Sequence, residues 1–150
     1  CNLAVTSSDV CKDYCAKAYP SLQLGLRTHL KITKILFKPL AAFQGVTHQL
    51  ADFDTKVEAA RLMSMNALWL KDRGLPHTAE AAMTKWWPPL LAYEAIHACL
   101  LIHGHAGYAQ DLPFQQRLRD VLGLQIGDGT AHIMKNIIAL ERAGKDAVRA

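Results

Sequence analysis

The chain has 150 residues, enough for one domain with a sizeable core, and its mean hydropathy of +0.04 is that of an ordinary globular protein. No run of 18 uninterrupted apolar residues and no secretory leader pattern occurs, which excludes a membrane-spanning helix as a reading of the sequence. The formal charge of +4 comes from the first 38 residues, with six Lys/Arg against Asp9 and Asp13; the remainder balances at 11 against 11, so the body lacks the basic patch of a nucleic-acid-binding domain.

In the segment 1–36, residues 1–23 carry scattered polar residues with no sustained period, and Tyr19-Pro20 acts as a breaker. An irregular or short-helical segment is expected there, with a basic amphipathic helix over 24–36 as its one regular candidate. Residues 30–33 alternate in polarity and also fit a strand. Because the chain opens on Cys1, it is expected to be a fragment or a processed product. Cys1, Cys11, Cys15 and Cys99 form no paired C-x-x-C spacing, so neither a zinc site nor a disulfide framework is indicated, and a reducing cytoplasm suits them.

From residue 37 onward the pattern is helical. Phe43, Val46, Leu50, Phe53, Val57 and Ala60 recur at intervals of three and four, which predicts a long bundle helix over 40–71 with Asp54, Lys56, Glu58 and Arg61 on the solvated side. Arg73-Gly74-Leu75-Pro76 ends it. Thr78 is the expected N-cap of a second helix, with Glu80 in its first turn. Met83, Trp86, Trp87, Leu90, Leu91, Ile96, Leu100 and Leu101 make this helix apolar on most sides, and so the buried one. Pro88-Pro89 inside it predicts a kink or break near Trp87. After residues 103–107 and a turn at residues 111–113, a short helix over 114–121 leads into residues 119–130, expected as a loop delivering a last helix over 131–140. That helix has Ile133, Ile137 and Leu140 in period, Met134 and Ile138 alongside, and Thr130 as N-cap. The fold class is all-α, an up-down helical bundle.

Two constellations invite chemistry. Gly127 and Gly129 bracket Asp128, leaving the backbone free for positive φ and holding a carboxylate at a loop tip; a structural turn aspartate would look the same. Glu94-Ala95-Ile96-His97 has the spacing of a helical metal pair, yet the second copy that a di-iron bundle needs is missing, so no metal site is assigned. Trp86-Trp87 reads as core.

Four blocks then fall in one order. Pro39-Leu40-Ala41-Ala42-Phe43-Gln44 with Gln49-Leu50-Ala51-Asp52 is similar to a Pro-Leu-Ala-x-Phe-Gln run followed by Leu-Ala-Asp. Glu80-Ala81-Ala82-Met83-Thr84-Lys85 matches a Glu-Ala-Ala-Met-x-Lys helix. Gly107-Tyr108, Pro113 and Arg119-Asp120 follow, and Gln125-Ile126-Gly127-Asp128-Gly129-Thr130 matches a Gln-Ile-x-Glu-Gly-Thr loop. Together they resemble the C-terminal helical domain of the acyl-CoA dehydrogenase family over 37–150.

That resemblance implies a flavin-dependent oxidoreductase that removes two hydrogens from the α,β bond of an acyl-CoA thioester. Asp128 would stand for the family's glutamate base, with burial against acyl chain and flavin raising its pKa, and Gly129 would help to hold the thioester carbonyl. FAD would meet Phe43 and Gln44, the turn Leu101, Ile102, His103, Gly104 and His105, and Thr130, Ala131 and His132 at a helix N-terminus. His105 replaces a glycine of the family's turn, Thr33 stands where the family has a phosphate-contacting arginine, and Leu36-Phe37 stands where Phe-Gly is expected. The implied assembly is a homodimer or homotetramer in which one subunit completes its neighbour's flavin site, with electron-transferring flavoprotein as acceptor. The family's other domains have no counterpart here, so the chain alone is expected to be inactive. Two alternatives stand beside this reading: a non-catalytic helical oligomerisation domain of the same descent, and a nitroalkane-oxidase-like flavoenzyme.

Overall fold

The computed structural model describes residues 20–21, 31, 33–35 and 38–144. The helix expected over 24–36 lies almost wholly outside them. Its last described residues belong to a two-residue antiparallel ladder, β1 (Lys34–Ile35) on β2 (Lys38–Pro39), pairing Lys34 with Pro39 and Ile35 with Lys38. The ladder stops at Pro39, and Leu40–Ala42 makes one 3₁₀ turn that seats Leu40 in the core at 7% exposure.

Helix α1 (Gln44–Asp72) starts four residues later than its apolar period suggests, because Phe43 is held extended at φ −94° and ψ 110° and serves as N-cap without a side-chain bond. The predicted face is the one that packs: Leu50, Val57 and Ala60 are buried, with Phe43, Val46 and Phe53 half-buried against them. On the solvent side Lys56 bonds Asp52 at 2.5 Å and Arg61 bonds Glu58 at 2.6 Å, helical pairs at spacings of four and three that add tenths of a kcal/mol each. The helix closes in a Schellman turn. Gly74 takes φ +67°, its N–H bonds the Lys71 carbonyl at 2.9 Å, and the Leu75 N–H bonds the Leu70 carbonyl at 2.9 Å.

Helix α2 (Thr78–Ile102) runs antiparallel to α1 after a five-residue connection and is the centre of the molecule, with thirteen of its 25 residues buried. Its N-cap is His77 rather than Thr78: the Ala81 N–H bonds the His77 carbonyl at 2.8 Å, while the His77 ring turns back to the Leu75 carbonyl. Bulk does not decide which residues are innermost. Where α1 and α2 pack together, Ala82, Ala92 and Ala95 of α2 are fully buried, and so are Ala60, Ser64 and Ala67 of α1 to within 3% exposure; small side chains of this kind let two helices approach closely. Trp86, Trp87 and Leu100 lie half-buried along the edges of that seam, and Leu90 and Leu101 are 38% and 61% exposed. The Ser64 hydroxyl, buried in the seam, is satisfied by the Ala60 carbonyl at 2.9 Å.

Pro88 and Pro89 do not break α2; both are buried inside one continuous helix. Each removes an intrahelical bond at a cost of about 3 kcal/mol, which packing on three sides of α2 offsets. The single-turn helix α3 (His105–Tyr108) follows, entered through Gly104 at φ +58°. Helices α4 (Phe114–Ile126) and α5 (Ala131–Ala143) complete the set, each docking on α2. Arg142 near the end of α5 pairs with Glu80 at the start of α2, so α5 also runs antiparallel to α2. Among the described residues no helix is long and apolar enough to cross a membrane.

Candidate functional site

The site begins in α4. Phe114 and Val121 are fully buried, and Leu118 and Leu124 extend the same stripe half-buried, so the apolar period carries the helix past Val121 to Ile126. Gly123, a helix-weakening residue by about 1 kcal/mol, lies inside it. Most of residues 119–130 is therefore helix, and the loop is only 127–130. It opens with the Gly127 N–H on the Gly123 carbonyl at 2.8 Å.

Conformational freedom in this loop is used one residue further on than expected. Gly127 has an ordinary φ of −60°, whereas Asp128 itself sits at φ +56° and Gly129 at φ +120°. Asp128 is the one non-glycine residue with positive φ among the described residues. Aspartate and asparagine tolerate this region best, through local hydrogen bonding of their short side chains, and a glutamate gains nothing comparable. The backbone thus favours the shorter acid, at about 1.5 Å less reach. Asp128 is exposed, and a Cβ on Gly129 would come within 2.6 Å of the Met134 side chain, so this glycine also lets the loop lie on α5.

Thr130 is the N-cap of α5, at φ −73° and ψ 164°, but its side chain makes no capping bond. The first amides of α5, which a helix cannot satisfy internally, are consequently not capped by the Thr130 side chain. Met134 is buried; Ile137, Ile138 and Leu140 are half-buried, and Ile133 is 52% exposed, so the apolar face of α5 is only partly covered. Thr130, Ala131 and His132 line a cavity of about 270 Å³ with Trp86, Leu90, Gln125, Ile126 and Lys135. The Lys135 ammonium lies 4.4 Å from the centre of the Trp86 ring. On the far side of Trp86 a more apolar groove of about 530 Å³ opens between Met63, Met83, Trp87, Ile138 and Ala139.

The other anticipated cofactor residues lie at the far end of the bundle. Leu101 is eleven residues beyond Leu90, roughly 16 Å along α2, and the start of α1 with Phe43 and Gln44 lies at that same end of the α1–α2 hairpin. Gln44, Leu101, Gly104 and His105 are exposed, and Phe43 and Ile102 are half-buried. His103 turns inward. It is 6% exposed, donates Nδ1–H to the Cys99 carbonyl at 2.7 Å, and packs its ring on Phe114 at 4.7 Å. Burial pushes the neighbouring Cys99 thiol up to about 12, with Arg117 opposing, so this cysteine is an inert core residue. Among the described residues no three His, Cys, Asp or Glu side chains converge as a metal site, and His97 lies nearly parallel to Tyr93, 6.1 Å away.

Sequence reasoning names Lys85 only as the last residue of the Glu80–Lys85 block and gives it no role. It is 3% exposed, and its Nζ donates to the Leu124 carbonyl at 2.6 Å in the last turn of α4, beside the Asp128 loop. The available signal is a lone charge in the run of residues 81–92, where every other residue but Thr84 is apolar.

Residues 25–142 match the family described as "Acyl-CoA dehydrogenase, C-terminal domain". Over 111 residues the chain is 35% identical to the probable acyl-CoA dehydrogenase YngJ of Bacillus subtilis, covering 74% of this chain and 29% of that protein. Against the short-chain specific acyl-CoA dehydrogenase of Clostridium acetobutylicum it is 32% identical over 113 residues, 75% of this chain and 30% of that protein. The fold superimposes on the structure of PigA with FAD and proline with a TM-score of 0.84 at 26% identity, covering 88% of this chain and 34% of the other. The chain thus spans less than a third of the length of these curated relatives.

Proposed function

The chain belongs to the acyl-CoA dehydrogenase family, as its C-terminal helical domain, and from that membership we propose that the protein carrying it removes two hydrogens from the α,β bond of an acyl-CoA thioester, with Asp128 as the base. The observation that carries this reading is the loop 127–130. A backbone held at positive φ projects a carboxylate immediately before a helix whose first amides no side chain caps. Proton abstraction from a carbon next to a carbonyl needs those two things side by side, a base at the carbon and donors where negative charge develops on oxygen. Asp128 takes the α-proton, and the Gly129 amide region receives the thioester oxygen.

The residues present fit an FAD. The uncapped amides of Thr130, Ala131 and His132, with Lys135 in the same cavity, suit an anionic group. Phe43 and Gln44, together with Leu101, Ile102, Gly104 and His105, offer a second, separate surface at the other end of the bundle; His103, turned inward, would support that turn from beneath. When bound, FAD supplies the acceptor for the hydride leaving the β-carbon. Two surfaces so far apart suit two flavins in an assembly where neighbouring subunits complete each other's sites. Leu62, Met65 and Trp69, all more than half exposed on one face of α1, support self-association as a homodimer or homotetramer. Electron-transferring flavoprotein is the acceptor this reading implies, and the chain alone is inactive because it supplies only part of each site.

The complete protein that contains this chain is expected to purify yellow with bound FAD. Anaerobic mixing with a series of straight-chain acyl-CoA thioesters should bleach the flavin absorbance. A colourless product that takes up no FAD would sink this reading and leave the non-catalytic oligomerisation domain standing.

A further inference from the structure

Among the Lys, Arg, Asp and Glu side chains of the described residues, Lys85 is the buried one. It projects from the most buried helix, and its ammonium donates to the Leu124 carbonyl at 2.6 Å. One turn further along α2 the Pro89 carbonyl accepts from Gln125 Nε2 at 3.3 Å. Leu124 and Gln125 are consecutive residues of the last turn of α4, directly before the loop that bears Asp128. The Leu124 carbonyl is one of the four terminal carbonyls that a helix cannot satisfy internally, and a cation there also answers the negative end of the helix dipole.

We propose that Lys85 is a positioning residue for the site: from inside the bundle it ties the end of α4 to α2 and sets a positive charge behind Asp128, so that the loop emerges in one place. The electrostatics agree with the geometry, since burial lowers the pKa of Lys85 and the Asp128 carboxylate opposes that lowering. The catalytic meaning of the tie rests on the reading of Asp128 as base; the tie itself does not.

Amide hydrogen exchange on the full chain tests it. In Lys85→Met the Gly127 and Met134 amides, bonded in the native chain to the Gly123 and Thr130 carbonyls at 2.8 and 3.1 Å, should exchange about tenfold faster or more. Amides in the middle of α2, such as Leu91 and Ile96, should keep their rates. No change at 127 and 134, or the same acceleration everywhere in a folded chain, overturns the proposal. Should Lys85→Met fail to fold, Gln125→Ala removes only the second tie and carries the same comparison with the same two outcomes. A second measurement leaves the core untouched: the Lys85 ammonium is titrated by NMR in the native chain and in Asp128→Asn. Its midpoint should move to lower pH when the carboxylate is removed, and an unmoved midpoint overturns the electrostatic half. If Asp128→Asn kept full turnover in the complete protein, the base assignment would fall while both results here stood.

Discussion

In the complete protein, Asp128→Asn is expected to lower turnover by about two orders of magnitude or more, the usual scale for losing a general base. The substitution is chosen so that little else changes. Asparagine has the same shape and tolerates positive φ as aspartate does, so the backbone at φ +56° should persist. Asp128 is exposed, and the core does not depend on it. FAD content and thermal stability should therefore match those of the unaltered protein, which separates loss of the base from loss of the site. Full turnover in the variant would place the base on another element.

How much of this can be read from the residues differs from element to element. Helix α1 is legible because its core positions and its solvated face repeat locally at spacings of three and four. The burial of α2 is legible in outline, yet its fully buried positions include Ala82, Ala92 and Ala95, whose small apolar surface does not single them out. The end of α4 is not legible. Gly123 and the glycines after it look like a loop, and the last turn of the helix meets a partner that local sequence does not reveal, the Lys85 ammonium on the Leu124 carbonyl, 39 residues away. Asp128 stands out as a residue, whereas its own positive φ is hidden by the glycines on either side. Thr130 is the N-cap that its position predicts, but its side chain makes no capping bond, leaving the first amides of α5 open.

Gly107 should give the largest effect on stability. A Cβ built there lies 2.2 Å from the Leu100 carbonyl oxygen and 2.9 Å from the His103 Cβ, and the first obstacle is backbone that cannot turn aside. Gly107→Ala must push α3 off the end of α2, at about 3 kcal/mol by analogy with overpacked cores. In a chain of this size that lowers Tm by roughly 10 °C. Gly123→Ala is the matched control, since nothing lies within 4 Å of the point its methyl would occupy and the backbone there is helical; it should gain about 1 kcal/mol. Equal Tm values for the native chain and Gly107→Ala, measured by calorimetry, would show that α3 does not rest against Leu100.

Because α1, α4 and α5 each rest chiefly on α2, their orientations are largely independent variables. The loop 127–130 joins two of them, so its shape is set by two angles, that of α4 and that of α5 against a common axis. The first is tied at Leu124 and Gln125, while the second rests on a seam of Met83, Trp86, Lys135 and Ile138 around the groove of about 530 Å³, with Arg142 on Glu80 at the far end of α5. Substitutions in that seam can turn α5, and with it the amides of residues 131–133, without moving the end of α4. Enlarging or shrinking Met83 should accordingly perturb backbone NMR shifts along α5 and leave those of residues 114–124 in place. Inheritance of one scaffold by enzymes with different substrates needs a freedom of this kind, in which one half of a site can be re-aimed while the other is kept.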